Sequence, residues 1–345
     1  MVRQFSPPPA ESLTPLERKQ IEYIEMKRLS RIIGGGVLLS CILELGFTVL
    51  TMLPTLIGYH AWDGILRSAA VQDYLLMLTS VCTLLPGVLF ILKRLTPQER
   101  NLCQPFGVPC RELPEWPFLT TLCVIFLGLG VCNLGNTVSG LVVEGFKGFG
   151  VDVELPDLAV PASAWETVLS FLAVAFIPAM TEEVFLRGAI MQPLRRYGDT
   201  FAVLTSAVMF ALVHKNFMQA PMALIAGVGL GYAVCVTGSL WPSILIHMAN
   251  NGVSVLFSLL TERYSEQTLN LMYFGYIAVC SLLALLSLLF LYATRAGRPR
   301  RSRPLLTARR GGLFAKFWFG TPAMFLSLLY FAAIFIAMSA VTTVA

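Results

Sequence analysis

Residues 164–188 read AWETVLSFLAVAFIPAMTEEVFLRG, and most of these residues are apolar. A helix of this length crosses the hydrocarbon layer of a bilayer, about 30 Å thick, because each residue adds about 1.5 Å. The second half of the run nevertheless contains Glu182, Glu183 and Arg187. Charged side chains at membrane depth are unfavourable and usually have a function. This stretch therefore predicts both a membrane-spanning fold and a functional site inside it.

The whole chain has the composition of a membrane protein. Of its 345 residues, 56% are hydrophobic and 13% are charged, and the mean hydropathy is +0.72. This composition excludes a soluble globule, and the alternation expected of barrel strands is absent. We predict an all-α fold, a polytopic transmembrane helical bundle of about eight or nine spans. The candidate apolar runs are residues 32–58, 74–92, 117–143, 164–188, 200–218, 219–237, 240–260, 270–293 and 319–343.

Lysine and arginine are concentrated in alternate connections between these runs. Six precede the first run, Arg195 and Arg196 follow the fourth, and eight more lie from Arg295 to Lys316. Four more, Lys93, Arg94, Arg100 and Arg111, follow the second run, whereas the alternate connections contain single basic residues. Basic residues favour the cytoplasmic side of a membrane. We therefore predict a cytoplasmic N-terminus in a multi-pass integral protein of the cell membrane.

The positive charge also indicates which partners to expect. The formal net charge is +5, and the basic stretch after Arg295 is expected to bind anionic membrane lipids. Nucleic acid is not expected as a partner, because no nucleic-acid-binding motif accompanies the charge. The eight cysteines include no CxxC pair, and Cys103 and Cys110, in a predicted cytoplasmic loop, are expected to be reduced.

Three charged residues and one histidine define the first part of the candidate site. Glu183 and Arg187 are four residues apart and share a helix face, so we expect them to pair, whereas Glu182 points about 100° away. The turn at Gly198 lies about midway between Glu182 and His214, so two antiparallel helices would place that pair at a similar depth. Glu182 could then act with His214 as a general base. The alternative is a buried network that only fixes helix packing.

His247 and Asn251 define the second part of the candidate site. They are four residues apart, so an imidazole N–H and an amide N–H can point to one place, as in an oxyanion hole. Asn250 competes with Asn251 for the same role. The alternative for His247 is a histidine whose hydrogen bonds are satisfied in the core.

Two further features have structural interpretations. Gly227, Gly229 and Gly231 are spaced to allow close helix approach. Glu44 is an acid in the first apolar run with no visible partner, so we expect it to pack or to reach the membrane surface.

Three short motifs carry a resemblance to a known family. Glu182-Glu183-x-x-x-Arg187, Phe210-x-x-x-His214 and His247-x-x-x-Asn251 follow one another on successive apolar segments. In this order they resemble the motifs of the CPBP (ABI) family, which contains type II CAAX prenyl endopeptidases and bacteriocin-processing membrane proteases. The resemblance covers residues 160–260. It implies a CPBP-like catalytic core at 149–262. The apolar runs and the basic residues predict the rest, namely a cytoplasmic segment at 1–31, helices with a cytoplasmic loop at 32–148, and helices with a basic cytoplasmic loop at 263–345.

The resemblance also implies roles for the site residues. Glu182 and His214 would activate a water molecule, and His247 and Asn251 would stabilise the oxyanion. Glu183 and Arg187 would support these residues.

No cofactor is required in this mechanism. A divalent metal such as zinc is the alternative, with Glu182, His214 and His247 as candidate ligands, although the HExxH zinc motif is absent.

The resemblance implies an intramembrane endopeptidase acting on a peptide or a lipidated, CAAX-like protein. Two other classes of function compete with it. A proton-coupled transporter could use the same charges as a relay, although the two halves of the chain show no repeat. A non-catalytic membrane scaffold or immunity protein could have the same fold.

Overall fold

The computed structural model describes residues 14–59, 61–66, 68–103, 117–149, 160–298 and 310–342. Within these ranges all regular secondary structure is helical, and seven helices are long and apolar enough to cross a membrane. The prediction of an all-α membrane bundle is therefore confirmed. Two of the nine predicted runs correspond to shorter apolar helices, Asp199–Val213 and Pro322–Ala337, so the number of spans stays a prediction, as does the side of the N-terminus.

We number the helices in chain order. They are α1 (Pro15–Leu56), α2 (Ala61–Leu66), α3 (Ala69–Arg94), α4 (Pro97–Leu102), α5 (Pro117–Gly148), α6 (Ala164–Tyr197), α7 (Asp199–Val213), α8 (Ala220–Thr237), α9 (Trp241–Leu260), α10 (Glu266–Ala293), α11 (Arg310–Phe319) and α12 (Pro322–Thr342).

Helix α1 begins well before the apolar run that starts at residue 32. Thr14 caps it by accepting a hydrogen bond from the backbone N–H of Glu17, whose carboxylate accepts from the Thr14 backbone in return. This capping box satisfies N–H groups at the helix end, and Pro15 at the first position has no N–H to satisfy. The polar part of α1 thus extends the first span, which packs against α3, α11 and α12.

Helix α8 lies against α5 and α7 and brings them close together. A Cβ atom on Gly227 would lie 2.9 Å from Cα of Ala207 in α7, and one on Gly229 would lie 2.9 Å from the Val131 side chain in α5. The glycines therefore allow the close helix approach that their spacing predicts. This approach brings the backbone of α8 next to the site.

Helix α6 is not a uniform α-helix. Phe171–Phe176 and Val184–Met191 are π-helical, and the short α-helical segment between them contains Pro178, Glu182 and Glu183. A proline inside a helix removes one N–H donor and clashes with the carbonyl four residues earlier, and wider π turns relieve such a clash. Both glutamates therefore lie between two distortions of the same helix.

Helix α10 exposes many apolar side chains, among them Leu271, Phe274 and Val279, and packs mainly against α5. A bilayer would cover this surface.

Cys103 is a free, buried thiol that donates to the Glu99 carbonyl, 3.3 Å away. Cys110, residues 1–13 and most of the basic stretch after Arg295 lie outside the described residues.

Candidate active site

Glu183 is the centre of a buried hydrogen-bond network. Its Oε1 accepts from Arg187 Nη1 at 2.7 Å, and its Oε2 accepts from Ser243 Oγ at 2.8 Å. The Glu183 and Arg187 side chains are both 0% exposed. A buried charge is tolerated when it is paired and its remaining hydrogen bonds are made, as they are here for Glu183.

Arg187 connects three helices. Its Nη2 donates to the Gly227 carbonyl of α8 at 3.2 Å, and its Cζ lies 4.6 Å from the centre of the Phe210 ring in α7. A guanidinium over an aromatic face is a favourable cation–π contact. The Glu183–Arg187 pair therefore joins α6 to both α7 and α8.

His247 lies between the two glutamates. Its Nδ1 is 3.1 Å from Glu183 Oε1, and its Nε2 is 3.9 Å from Glu182 Oε2. Glu183 is a carboxylate that accepts from Arg187, so the proton in the shorter contact belongs to His247 Nδ1. The longer separation is too great for a direct hydrogen bond. His247 Nε2 therefore faces Glu182 and carries a proton only in the imidazolium form.

Glu182 differs from Glu183 in its surroundings. Its side chain is 17% exposed, and among the described residues its buried Oε2 atom has no hydrogen-bond partner. Buried polar atoms in folded proteins almost always have a partner, and exceptions call for an explanation such as a catalytic role. Glu182 is therefore the carboxylate of this site that is available to a substrate or a water molecule.

His214 follows the last residue of α7, and its ring is held from one side. Its Nδ1 lies 2.8 Å from the Phe210 carbonyl. A carbonyl only accepts, so Nδ1 carries the proton and Nε2 of the neutral ring carries a lone pair. Glu182, His247 and Arg187 are close enough to His214 to act on it electrostatically. The Phe210 ring packs against both His214 and His247, so the structure places these two imidazoles around one aromatic ring.

Phe210 and Ser243 make contacts with the site residues that the sequence did not predict. The Phe210 ring packs edge-on against His214 at 4.7 Å between ring centres and against His247 at 5.4 Å. Phe210 was part of a motif, but its sequence position gave no role beyond spacing. Ser243 lies one turn before His247, and that spacing was the available signal.

Asn251 makes hydrogen bonds away from the histidines. Its Nδ2 donates to the Val174 carbonyl at 3.0 Å, and its Oδ1 accepts from Asn250 Nδ2 at 3.3 Å. The Oδ1 of Asn250 accepts in turn from Asn136 Nδ2 in α5 at 3.1 Å. The side-chain amides of Asn136, Asn250 and Asn251 therefore form a chain of hydrogen bonds that ends at the Val174 carbonyl. Asn250 and Asn251 occupy different positions in this chain of hydrogen bonds.

The same geometry bears on the metal alternative. In the part of the chain that the structure describes, no three His, Cys, Asp or Glu side chains are grouped so that they could hold a metal ion. The candidate ligands Glu182, His214 and His247 thus do not form a ready metal site in this conformation.

One comparison with known proteins bears on this site. Residues 164–253 match the family model described as type II CAAX prenyl endopeptidase Rce1-like. The matched segment contains Glu182, His214, His247 and Asn251. No curated protein and no solved structure matches the chain. The match confirms the resemblance carried by the three motifs. It supports a protease in an integral membrane protein, and residues 164–253 are similar to the Rce1-like family.

Proposed function

We propose that this protein is an intramembrane endopeptidase that hydrolyses a peptide bond in a membrane-associated or lipidated, CAAX-like substrate. The observation that carries the proposal is the buried Oε2 of Glu182, which has no hydrogen-bond partner among the described residues. It lies beside two imidazoles within the Rce1-like segment. A general base needs this kind of freedom, because its lone pair must be available to the water it deprotonates.

In the proposed reaction Glu182 removes a proton from a water molecule. The water oxygen forms a bond to the peptide carbonyl carbon, the C–N bond then breaks, and the proton passes to the leaving nitrogen. His214 presents a lone pair at Nε2, so it accepts a hydrogen bond from the same water and orients it. A well-placed base of this kind contributes roughly 10²- to 10⁴-fold in rate.

His247 and Asn251 would stabilise the negative charge that develops on the carbonyl oxygen. His247 would donate to this oxygen from Nε2, since Nδ1–H is held by Glu183. Asn251 has one amide N–H left after its bond to Val174. Each such donor is worth about 3 kcal/mol of transition-state stabilisation in other acyl-transfer enzymes.

Glu183, Arg187 and Ser243 support the site without touching the substrate. Their network fixes the His247 ring through Nδ1 and therefore sets the direction of Nε2. Orientation of this kind is what a catalytic histidine needs from its neighbours.

The proposed place of action is the cell membrane, where the substrate would approach through the lipid. The apolar surface of α10 and the membrane-crossing length of the other helices support this proposal. Anionic lipids are proposed partners of the basic segment after Arg295.

The test is cleavage of prenylated and unmodified peptides by the purified protein in detergent. We expect Glu182→Gln to reduce cleavage by at least about 10²-fold and a chelator to have no effect. Glu262→Gln changes an exposed glutamate beyond the site and serves as the matched control. Full cleavage by Glu182→Gln contradicts the proposal. Loss of cleavage in chelator as well as in Glu182→Gln assigns the reaction to a metal enzyme.

A further inference from the structure

The Val174 carbonyl of α6 lies in the π-helical segment Phe171–Phe176 and cannot accept the usual α-helical hydrogen bond. In an α-helix it would accept from the residue four positions later, but that residue is Pro178, which has no N–H. Asn251 Nδ2, from the neighbouring helix α9, lies 3.0 Å from this oxygen and donates to it. A side chain of the candidate site therefore bonds to the part of α6 that leads to Glu182.

This contact determines which way round the Asn251 amide lies. The oxygen and nitrogen of an amide have nearly the same shape, so the orientation follows from the partners. The Val174 carbonyl can only accept, so the atom facing it must be nitrogen. The Asn251 oxygen then faces Asn250 Nδ2 at 3.3 Å, and the Asn250 oxygen faces Asn136 Nδ2 at 3.1 Å. The three amides form one chain with a single direction from α5 through α9 to α6.

The Asn251 side chain keeps one amide N–H that these hydrogen bonds do not use. It has one oxygen and two N–H groups. Asn250 occupies the oxygen, and Val174 occupies one N–H. The second N–H takes no part in the hydrogen bonds to Asn250 and Val174. A reversed amide would place oxygen against the Val174 oxygen and nitrogen against the Asn250 nitrogen, so both bonds would be lost.

We propose that Asn136 and Asn250 are positioning residues that hold the Asn251 amide in the orientation that presents an N–H, and not a carbonyl oxygen, to the oxyanion. The proposal rests on the proposed function, because the oxyanion belongs to that reaction. Neither residue touches the substrate in this scheme. Both are part-buried between helices, where a displaced hydrogen bond is not readily replaced by water.

The kinetic test uses three variants of α5. Asn136→Leu removes the first donor at similar volume, and we expect kcat to fall about tenfold while KM stays within about twofold, because the oxyanion donor acts in the transition state. Asn136→Gln keeps a carboxamide donor and should recover most of the loss. Thr137→Val is the matched control, since among the described residues the Thr137 hydroxyl donates to the Asn133 carbonyl of its own helix and not to the amide chain.

NMR spectroscopy tests the hydrogen bonds of the three amides without relying on cleavage. Protein labelled with ¹⁵N-asparagine gives a pair of side-chain N–H signals for each asparagine, and the pair missing in Asn251→Ser belongs to Asn251. We expect Asn136→Leu to shift or broaden this pair and Thr137→Val to leave it in place. If the Asn251 amide signals are unchanged in Asn136→Leu, the three amides do not form a hydrogen-bonded chain. If the signals change but kcat does not, Asn136 has no positioning role. If kcat falls while the signals are unchanged, the effect of Asn136→Leu is structural, which also overturns the positioning role.

The two tests separate this inference from the proposed function. Full cleavage by Glu182→Gln removes the proposed reaction, whereas the Asn251 signals respond to Asn136→Leu whatever the reaction is. The positioning role of Asn136 and Asn250 requires both results, a change in the Asn251 amide signals and a fall in kcat.

Discussion

Arg187 Nη1 lies 2.7 Å from Glu183 Oε1, and neither side chain is exposed to solvent. Hydrogen bonds from Ser243 and His247 complete the surroundings of the carboxylate. Removing one partner of a buried pair leaves the other charge uncompensated, which is far more damaging than the loss of a surface pair. The pair therefore supports the fold of the bundle as well as the orientation of His247.

Arg187→Met should destabilise the protein by about 3 kcal/mol or more, because Glu183 would stay buried without its cation. The measurement is thermal unfolding in detergent, followed by tryptophan fluorescence. Glu182→Gln is the matched variant, since Glu182 has no cationic partner at hydrogen-bond distance among the described residues. It should keep the wild-type Tm and lose cleavage. An unchanged Tm for Arg187→Met contradicts the structural role of the pair.

Phe210→Leu should lower kcat about tenfold with a small loss of stability. The ring contacts both His214 and His247 by its edge and lies under the Arg187 guanidinium, and each such contact is worth about 1 kcal/mol. Leucine fills much of the volume but supports neither imidazole. Phe257→Leu breaks an aromatic pair with Tyr273 outside the site and is the control. Equal kcat values for the two variants would count against a role for Phe210 in holding the histidines.

The sequence predicted the features that depend on local rules. Bilayer thickness sets the length of a spanning helix, so the apolar runs located the helices. Helical periodicity placed Glu183 and Arg187 on one face, and the structure pairs them. The order of three short motifs identified the part of the chain that matches the Rce1-like family model.

Contacts between helices were not predictable in the same way. The π-helical segments of α6 arise where Pro178 meets the packing of neighbouring helices, and a single sequence does not show both. The bond from Asn251 to Val174 lies in the first of these segments. Glu44 had no visible partner in sequence, but in the structure it pairs with Lys215, which lies far away in the chain. Its interpretation as a packing or surface-reaching residue was therefore incomplete.

The Glu44–Lys215 pair connects α1 to the residue that follows His214. Lys215 has a positive φ of 51°, a conformation that is strained for a residue with a long side chain. We expect Glu44→Gln to release Lys215, shift His214 and lower kcat several-fold. The exchange Glu44→Lys with Lys215→Glu should recover part of the activity, because it restores a pair of opposite charges.

The control for this prediction is the exposed pair of Glu144 and Lys147, which lies at the end of α5. Glu144→Gln should leave kcat unchanged, since exposed ion pairs contribute little. If Glu44→Gln behaves like Glu144→Gln, α1 has no part in placing His214.

Glu99 should make the stability of the bundle depend on pH. It lies in α4, and its Oε1 accepts from Arg28 of α1 and, at 3.0 Å, from Arg196 of α6. Burial alone would raise the pKa of Glu99, but the hydrogen bond and charge of Arg28, with the hydrogen bonds from Thr96, hold the pKa below its ordinary value of 4.5. The folded protein thus binds this proton less tightly than the unfolded chain. The stabilisation by Glu99 is therefore complete above about pH 4.5 and is lost as the pH falls through the lower, folded-state pKa.

Glu99→Gln should lower Tm at pH 7 by a few degrees, because a neutral amide no longer matches two arginines. At an acidic pH below 4.5 the wild-type carboxyl takes up its proton as the pH approaches the lower, folded-state pKa, so the difference in Tm between the wild type and Glu99→Gln should be smaller than at pH 7. Glu262→Gln, an exposed change far from these arginines, should show no difference at either pH. Equal differences at both pH values would mean that the charge of Glu99 does not hold α1, α4 and α6 together. In that case the Thr96 capping interaction, which needs an acceptor but no charge, would explain the stabilisation.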